Sequence, residues 1–305
     1  MTRPAPRAWA DDGQARFSHC GWQVLARASE RGSAPFNDDL AGTEGAHAWI
    51  LDGSAFFSGP PRVTDLSEGA WLVSAADRRL RAAALDAMSL PDVAQMLESG
   101  LAADYAALGE GHPERPPGEG PSAVFALLRI RPEGELFRVE AMLLGDVSVL
   151  VEDEGRLTRW TDERVAPFEA RTIAAAQAAG HSDGVVIAPQ ALAQIIENRR
   201  WLNREGGYWA INPSLPWRPG LRFVSQRVSA QATLLLASDG FMRLVDVMQR
   251  YGEVELMRAV KDRGVDSLIA ELRRLEREDG QARRYARVKI HDDATALVLQ
   301  PAAGR

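Results

Sequence analysis

Aspartates that could bind a metal ion occur at four places along the chain, each beside an apolar run. Asp52 follows the apolar run at residues 48–51, and Asp239 follows a second run, Thr233–Ala237, after one serine. A short run of large apolar residues predicts a buried strand. Each carboxylate is therefore predicted at the edge of a sheet, where the glycine that comes next allows the backbone to turn.

Two further acidic clusters have the same relation to predicted strands. Asp38 and Asp39 lie upstream of the first run, and Asp292 with Asp293 opens the last apolar run, residues 294–299. Carboxylates collected at one place repel each other and need cations between them. Oxygen ligands of this kind suit hard divalent cations such as Mg²⁺ and Mn²⁺. The four clusters thus predict one metal site that is assembled from distant parts of the chain.

Composition and charge are typical of a globular domain and narrow the range of partners. Hydrophobic residues make up 46% of the chain and charged residues 26%, which is ordinary for a soluble domain. The net charge of −6 argues against a bulk attraction to nucleic acid or to an anionic membrane, so neither partner is expected. Cys20 is the only cysteine, which excludes an internal disulfide and a cysteine-based zinc site. We find no apolar run of about 18 residues and expect no secretory signal, so a cytoplasmic protein is predicted.

The order of the predicted elements favours an α+β fold with antiparallel sheets. Residues 64–87 and 91–108 carry apolar residues at helical spacing, and these two helices could cover one face of a sheet. Three strands are predicted next, at residues 122–131, 135–144 and 147–152. Their short connections predict two hairpins and hence antiparallel pairing. A parallel sheet with alternating helices is not expected from this order.

A single domain is predicted for residues 16–305, preceded by a flexible arm at residues 1–15. Residues 190–220 are predicted to contain an irregular, flap-like segment, because glycines and prolines accumulate in their second half. Trp209 and Trp217 lie in this segment, where they could line a substrate groove or pack internally.

The acidic motifs resemble those of the metal-dependent protein phosphatases of the 2C type. The resemblance covers roughly residues 20–299 and follows the order in which that family carries its motifs. The matching segments are Asn37-Asp38-Asp39, Leu51-Asp52-Gly53, Gly145-Asp146 with Leu157-Thr158 and Asp162, Ala237-Ser238-Asp239-Gly240, and Asp292-Asp293-Ala294-Thr295. Their common order, each beside a predicted strand, makes the joint signal specific.

This resemblance implies both a fold and an activity. The fold would consist of two packed antiparallel β-sheets flanked by pairs of helices, a four-layer αββα sandwich with metal ions in a cleft between the sheets. The activity would be hydrolysis of phosphoserine and phosphothreonine in proteins, with two Mn²⁺ or Mg²⁺ ions as cofactor and a metal-bridged water as nucleophile. The implied partner is a phosphoprotein substrate, and the enzyme would oppose a serine/threonine kinase.

The resemblance also implies roles for individual residues. Asp52 and Asp239 would form the catalytic centre, with the Asp52 carboxylate bridging both ions. The residues implied to hold metal ions, directly or through water, are Asp38, Asp39, Asp52, Gly53 through its carbonyl, Asp239 and Asp292. Asp146, together with Asp239, would hold a weaker third ion.

The chain departs from the family pattern beside two of these motifs. Ser54 stands where many members have histidine or methionine after the Asp-Gly pair. Ala34 stands where the family often has an arginine that binds the substrate phosphate, and Arg31 is the nearest replacement. Two alternatives to a working protein phosphatase therefore stay open. One is a metal-binding but inactive relative, and the other is a hydrolase of small phosphate esters.

Overall fold

Ten β-strands in the described part of the chain form two five-stranded sheets. The computed structural model describes residues 20–56, 60–116, 118–178 and 188–303, so the arm predicted at residues 1–15 lies outside the described residues. The strands are β1 (Cys20–Glu30), β2 (Asp39–Glu44), β3 (His47–Phe56), β4 (Gly120–Glu133), β5 (Leu136–Leu144), β6 (Ser148–Asp153), β7 (Arg156–Trp160), β8 (Arg222–Val228), β9 (Thr233–Ala237) and β10 (Ala294–Ala303).

Both sheets are antiparallel throughout. The first sheet has the strand order β1-β10-β9-β6-β7, and the second sheet has the order β2-β3-β4-β5-β8. Every neighbouring pair runs antiparallel. The inner faces of the two sheets share one apolar core, to which β3, β4, β5, β6, β9 and β10 all contribute.

Helices cover the outer faces of the two sheets and complete the four layers. The helices in the described ranges are α1 (Glu68–Ala82), α2 (Leu90–Gly109), α3 (Ala166–Ala178), α4 (Pro189–Arg199), α5 (Asp239–Asp246), α6 (Glu253–Arg263) and α7 (Val265–Glu278). α1 and α2 share a core with the second sheet, and α5, α6 and α7 share one with the first sheet. The predicted α+β sandwich of helices, sheet, sheet and helices is confirmed. None of the described helices is both long enough and apolar enough to cross a membrane.

β3 is buried on both faces, which accounts for its continuous apolar run. Trp49 and Leu51 pack in the core under α1 and α2, whereas Ala48 and Ile50 point into the core between the sheets. All four side chains are fully buried. Burial of each large apolar side chain contributes about 1.5–3 kcal/mol, so this strand is fixed firmly at the centre of the sandwich.

The end of β3 differs from the prediction. The strand continues to Phe56, so Asp52 and Gly53 lie within it, opposite Val124 and Ala123 of β4. The Asp-Gly pair does not turn the chain here, because the ladder to β4 runs on past it. The Asp52 carboxylate therefore projects from a strand interior and not from a strand end.

The hairpin predicted at Gly145 and Asp146 is wrong. β5 belongs to the second sheet and β6 to the first, so these two residues carry the chain from one sheet to the other. Gly145 has a φ of +80°, and a Cβ there would lie 2.0 Å from Val124 Cγ1. The crossing places Asp146 between the two sheets. The other predicted hairpin, at residues 132–134, is confirmed because β4 pairs with β5.

Other boundaries shift for local reasons. The helix predicted over residues 64–87 begins at Glu68, because the Ser67 side chain caps it by accepting a hydrogen bond of 2.9 Å from the Ala70 N–H. β2 and β7 are short strands that the apolar pattern does not predict. Within the predicted flap-like segment, α4 ends at Arg199 and irregular backbone follows. Trp217 is fully buried there and packs edge-on against Phe125 at 5.9 Å between ring centroids, so it packs internally.

Candidate metal centre

Asp39 and Asp52 face each other across the β2–β3 pair. The strand register sets the two residues directly opposite. Asp39 is only 7% exposed, and neither of its carboxylate oxygens accepts a hydrogen bond of ordinary geometry among the described residues, although the hydroxyls of Ser238 and Thr295 are close enough to oppose the rise of its pKa. Like charges directly opposite are destabilising, and a buried carboxylate without a partner is costly. A cation between the two carboxylates would remove both penalties.

The pKa values of Asp39 and Asp52 are both raised, and for the same physical reasons. Burial raises the pKa of Asp52 well above its ordinary value, and the nearby carboxylates of Asp39 and Asp239 raise it further. Burial also raises the pKa of Asp39 well above its ordinary value, with the Asp239 carboxylate adding to the shift. Both shifts have the direction expected for carboxylates that share one site.

Gly53 allows the chain segments around Asp52 to approach closely. A Cβ at this position would lie 2.8 Å from the Asp38 carbonyl oxygen and 2.9 Å from that of Gly69. The Gly53 N–H donates a 2.9 Å hydrogen bond to the same Asp38 carbonyl. The glycine thus lets the segment before β2, strand β3 and the start of α1 meet at the predicted metal ligands.

Asp239 is brought to the centre by the junction between β9 and α5. It is the first residue of α5, and Ser238 precedes it as the N-cap. The Ser238 N–H donates to the Thr295 carbonyl at 3.0 Å, and the Thr295 N–H donates to the Ser238 hydroxyl at 3.0 Å. These bonds join the start of α5 to the start of β10 and so bring Asp239 near Asp292. Burial raises the pKa of Asp239, and the Asp292 carboxylate adds to the shift.

Asp292 differs from the other aspartates because two side-chain cations bind it. Lys289 Nζ lies 2.7 Å from Asp292 Oδ1, and Arg243 Nη2 lies 2.8 Å from Asp292 Oδ2. Burial alone would raise the pKa of Asp292, but Lys289 and Arg243 together lower it below the ordinary value. No sequence motif points to either cation. The only signal is their position, three residues before Asp292 and four residues after Asp239.

Asp146 is close enough to Asp52 and Asp239 to interact with both carboxylates, and it has an acidic neighbour that the sequence analysis missed. Burial raises the pKa of Asp146 well above its ordinary value, and Asp239 and Glu169 add to the shift. Desolvation by the surrounding protein and the Asp239 carboxylate raise the pKa of Glu169, which lies on α3 with its side chain still exposed to solvent. Asp146, Glu169 and Asp239 all line a cavity of about 480 Å³. Glu169 carries no motif signal, because it stands in an alanine-rich helix far from the acidic clusters.

Asp38 and Asp293 shape the segment that leads into β2. Asp293 accepts hydrogen bonds of 2.7 Å from the Gly32 N–H on one oxygen and from the Asp38 N–H on the other. The Asp38 side chain accepts a hydrogen bond from the Ser67 hydroxyl at the start of α1, and burial raises its pKa. Asp38 is therefore close to the centre, with its carboxylate already engaged by the helix cap.

Arg31, the predicted phosphate ligand, lies on the same segment and is exposed. Its guanidinium donates a hydrogen bond to the Ala34 carbonyl, which closes a turn within the segment. The segment is anchored beside the acidic centre through Gly32, whose N–H binds Asp293. Arg31 is thus near the centre in the fold, with its side chain turned to its own loop.

The chemistry of the donor atoms suits an oxygen-coordinated divalent cation at one end of the centre and suits it poorly at the other. Asp39, Asp52 and Asp239 offer the hard oxygen donors that Mg²⁺ or Mn²⁺ requires. Asp292 offers no free oxygen donor, because each of its carboxylate oxygens contacts a side-chain cation. Across the described ranges, no three His, Cys, Asp or Glu side chains form a group that could hold a metal ion by geometry alone.

Comparison with known proteins identifies the fold. The sequence matches no protein-family model and no curated protein. Among solved structures, the catalytic domain of the serine/threonine protein phosphatase PstP in complex with two manganese ions is 16% identical, with a TM-score of 0.53. That match covers 93% of this chain and 99% of the PstP chain.

Two further solved structures share this fold. The serine/threonine phosphatase PstP/Ppp of Mycobacterium tuberculosis is 17% identical over 92% of this chain and 98% of its own, with a TM-score of 0.52. PppA, a key regulatory component of T6SS in Pseudomonas aeruginosa, is 18% identical over 94% and 99%, with a TM-score of 0.50. The resemblance predicted from the acidic motifs is therefore confirmed at the level of the fold. The chain has the fold of the 2C-type bacterial serine/threonine phosphatases.

Proposed function

We propose that the chain is a metal-dependent phosphatase of phosphoserine and phosphothreonine residues in proteins. The observation that carries the proposal is the facing pair of Asp39 and Asp52, in which the buried Asp39 carboxylate has no cationic partner within the described ranges. The fold it shares with PstP, whose structure is in complex with two manganese ions, supports the same conclusion.

The proposed cofactor is Mn²⁺ or Mg²⁺. Asp39, Asp52 and Asp239 would hold the metal ions, with further contacts from the Gly53 carbonyl and Asp292. Asp146 would hold a weaker third ion on the side of Asp239, and Asp38 would act through water. Divalent cations in such a centre lower the pKa of the attacking water and neutralise charge on the phosphoryl oxygens.

The residues of this chain have distinct tasks in the proposed reaction. Asp52 and Asp239 fix the cations, because each projects from an element that is anchored by backbone hydrogen bonds. The substrate phosphate is itself an anion and needs positive charge to enter an acidic cleft. Arg31 is the proposed contact, since an exposed guanidinium can bind two phosphate oxygens at once.

The proposed substrate is a phosphoprotein, and the activity would oppose a serine/threonine kinase. The net charge of −6 gives no support for a nucleic-acid or membrane partner. A cytoplasmic location, together with a role in signal transduction, is part of the same proposal.

A second candidate function is a catalytically weak or inactive relative that binds phosphoproteins. One observation favours it: Arg243 and Lys289 occupy both oxygens of Asp292, a residue implied as a metal ligand. The alanine at position 34, where the family often has its phosphate-binding arginine, points the same way.

Phosphate release in Mn²⁺ from a phosphothreonine peptide and from an aryl phosphate separates the possibilities. A protein phosphatase should hydrolyse the peptide with the higher kcat/KM. A hydrolase of small phosphate esters should prefer the aryl phosphate. Binding of the phosphopeptide without release of phosphate would instead identify the inactive relative and reject the proposed activity.

A further inference from the structure

Charge at the candidate metal centre is compensated unevenly. At one end, the buried Asp39 carboxylate has no ion-pair partner among the residues described, and Asp52 faces it. At the other end, Asp292 has an ammonium on one oxygen at 2.7 Å and a guanidinium on the other at 2.8 Å. A divalent cation is therefore needed at the first end, whereas the second end already holds two positive charges.

We propose that Lys289 and Arg243 take the place of one divalent cation, so that the chain binds a single metal ion tightly, between Asp39 and Asp52. The inference rests on the metal-binding part of the proposed function and specifies how many metal ions each chain binds. It concerns two residues that the acidic motifs do not include.

Lys289 is suited to this role by its chemistry and its surroundings. Its ammonium is a compact point charge, the side-chain group closest in kind to a metal ion. It interacts electrostatically with Asp52 and Asp239 as well as with Asp292. The chain contains two lysines against 34 arginines, and one of the two lysine side chains lies at this centre. A guanidinium at this position would be broader and would spread its charge over three nitrogens.

Arg243 is held rigidly behind Asp292. Its side chain is 8% exposed, and its Nη1 donates to Glu276 at 3.2 Å and to the Lys289 carbonyl at 3.3 Å. Glu276 is fully buried and is also bound by Arg273 and His291, each at 2.7 Å. Arg243 therefore belongs to a buried network that fixes it against Asp292.

Lys289 is the more accessible of the two cations. Its side chain is 45% exposed and stands on the irregular segment before β10. Removal of its ammonium should free Asp292 Oδ1 without opening the core. Lys289→Met keeps the length of the apolar part of the side chain and removes the ammonium, so it is the variant of choice.

The chain offers a matched control. Lys261 Nζ lies 2.7 Å from Glu152, and its side chain is 42% exposed, close to the 45% of Lys289. Lys261 stands on α6, and its carboxylate partner stands on β6. Lys261→Met removes the same charge from an equally exposed ion pair outside the candidate metal centre.

The test is the number of Mn²⁺ ions bound per chain, measured by titration calorimetry and by metal content after gel filtration. We expect one tightly bound ion in the wild type and in Lys261→Met. We expect two bound ions in Lys289→Met. If Arg243 alone is enough to block the second site, the second ion should bind only in the double variant Arg243→Met/Lys289→Met. Circular dichroism checks that each variant is folded.

The outcomes separate this inference from the proposed function. Two tightly bound ions in the wild type would overturn the inference and leave the phosphatase proposal intact. One bound ion in the wild type, in folded Lys289→Met and in the folded double variant would also overturn it. The side chains of Lys289 and Arg243 would then not be what limits the number of bound ions. No Mn²⁺ binding by any of the proteins would overturn both the inference and the proposed function.

Discussion

At the scale of single residues, charge compensation distinguishes the aspartates of the centre. Asp39 and Asp52 oppose each other without a direct ion pair to any described residue, while Asp292 binds two cations. Asp38 accepts a hydrogen bond from the cap of α1. A carboxylate that already has partners gains less from a metal ion than one that has none. The strongest metal ligands should therefore be those of the β2–β3 pair.

Asp52→Asn should abolish most of the activity. The substitution removes a charge that the proposal places in contact with bound metal, which should cost several kcal/mol of transition-state stabilisation, on the order of a hundredfold or more in kcat/KM. Asp239→Asn should act in the same direction. Thermal unfolding of metal-free Asp52→Asn should show a Tm no lower than that of the wild type, because a repelling carboxylate has been removed.

Asp262→Asn is the control for charge removal, since Asp262 is exposed on α6. It should leave kcat/KM unchanged. Near-wild-type turnover by Asp52→Asn would mean that the reaction takes place elsewhere on the molecule.

Arg31→Ala should raise KM for a phosphopeptide and leave Mn²⁺ affinity unchanged. The reason is that Arg31 offers an exposed guanidinium on the segment anchored beside the centre, and its only described hydrogen bond is to the Ala34 carbonyl. Steady-state kinetics on the wild type, Arg31→Ala and Ala34→Arg measure the effect. A silent Arg31→Ala together with a much lower KM in Ala34→Arg would reject Arg31 as the phosphate ligand.

At the scale of elements, the centre depends on how closely β3 approaches its neighbours. Gly53→Ala should destabilise the fold by about 1–3 kcal/mol, because the new Cβ would press on the Asp38 and Gly69 carbonyls at 2.8 and 2.9 Å. The shift of β3 should also lower kcat. Urea denaturation and phosphatase kinetics measure the two effects.

Gly280→Ala is the matched control, because its Cβ would meet only the Arg277 carbonyl, at an ordinary 3.5 Å. It should change the free energy of unfolding by less than about 0.5 kcal/mol. Equal stabilities of the two alanine variants would show that the contact at Gly53 does not constrain the centre.

Strands β3, β9 and β10, beside three of the acidic motifs, could be predicted from sequence, because an apolar run with an adjacent carboxylate is a local signal. Strand β2, which begins at Asp39, has no such apolar run and could not be predicted. The crossing at Gly145 and Asp146 could not, since a two-residue connection fits a hairpin equally well and only the partner of β6 decides between them. The contacts of Lys289 and Glu169 with the centre depend on how distant elements pack. No local pattern encodes such contacts.

At the scale of the whole molecule, the raised pKa values should make metal-free stability depend on pH. Burial and mutual repulsion raise the pKa values of Asp39, Asp52 and Asp239, so these three groups bind more protons in the folded chain than in the unfolded chain once the pH exceeds about 4. Their contribution to the free energy of unfolding should then fall as the pH rises from about 4 through their folded-state pKa values. His47, whose pKa burial lowers to about 4, acts in the opposite direction only below about pH 6.5.

Thermal unfolding of the wild type and of Asp52→Asn in a chelator, followed upward from about pH 4, isolates the carboxylates, because His47 contributes equally to both proteins. The Tm of the wild type should fall relative to that of Asp52→Asn as pH rises, and saturating Mg²⁺ should reduce this relative fall because the cation replaces the protons. A wild-type Tm that rises relative to that of Asp52→Asn with pH in the chelator would contradict the electrostatic description of the centre.

The most direct test of the central claim is phosphate release from a phosphothreonine peptide before and after removal of metal. The centre holds more carboxylates than its own cations neutralise, so activity should depend on divalent ions. Dialysis against EDTA should abolish activity, and Mn²⁺ or Mg²⁺ should restore it. Activity that persists in excess EDTA after dialysis would contradict a metal-dependent phosphatase.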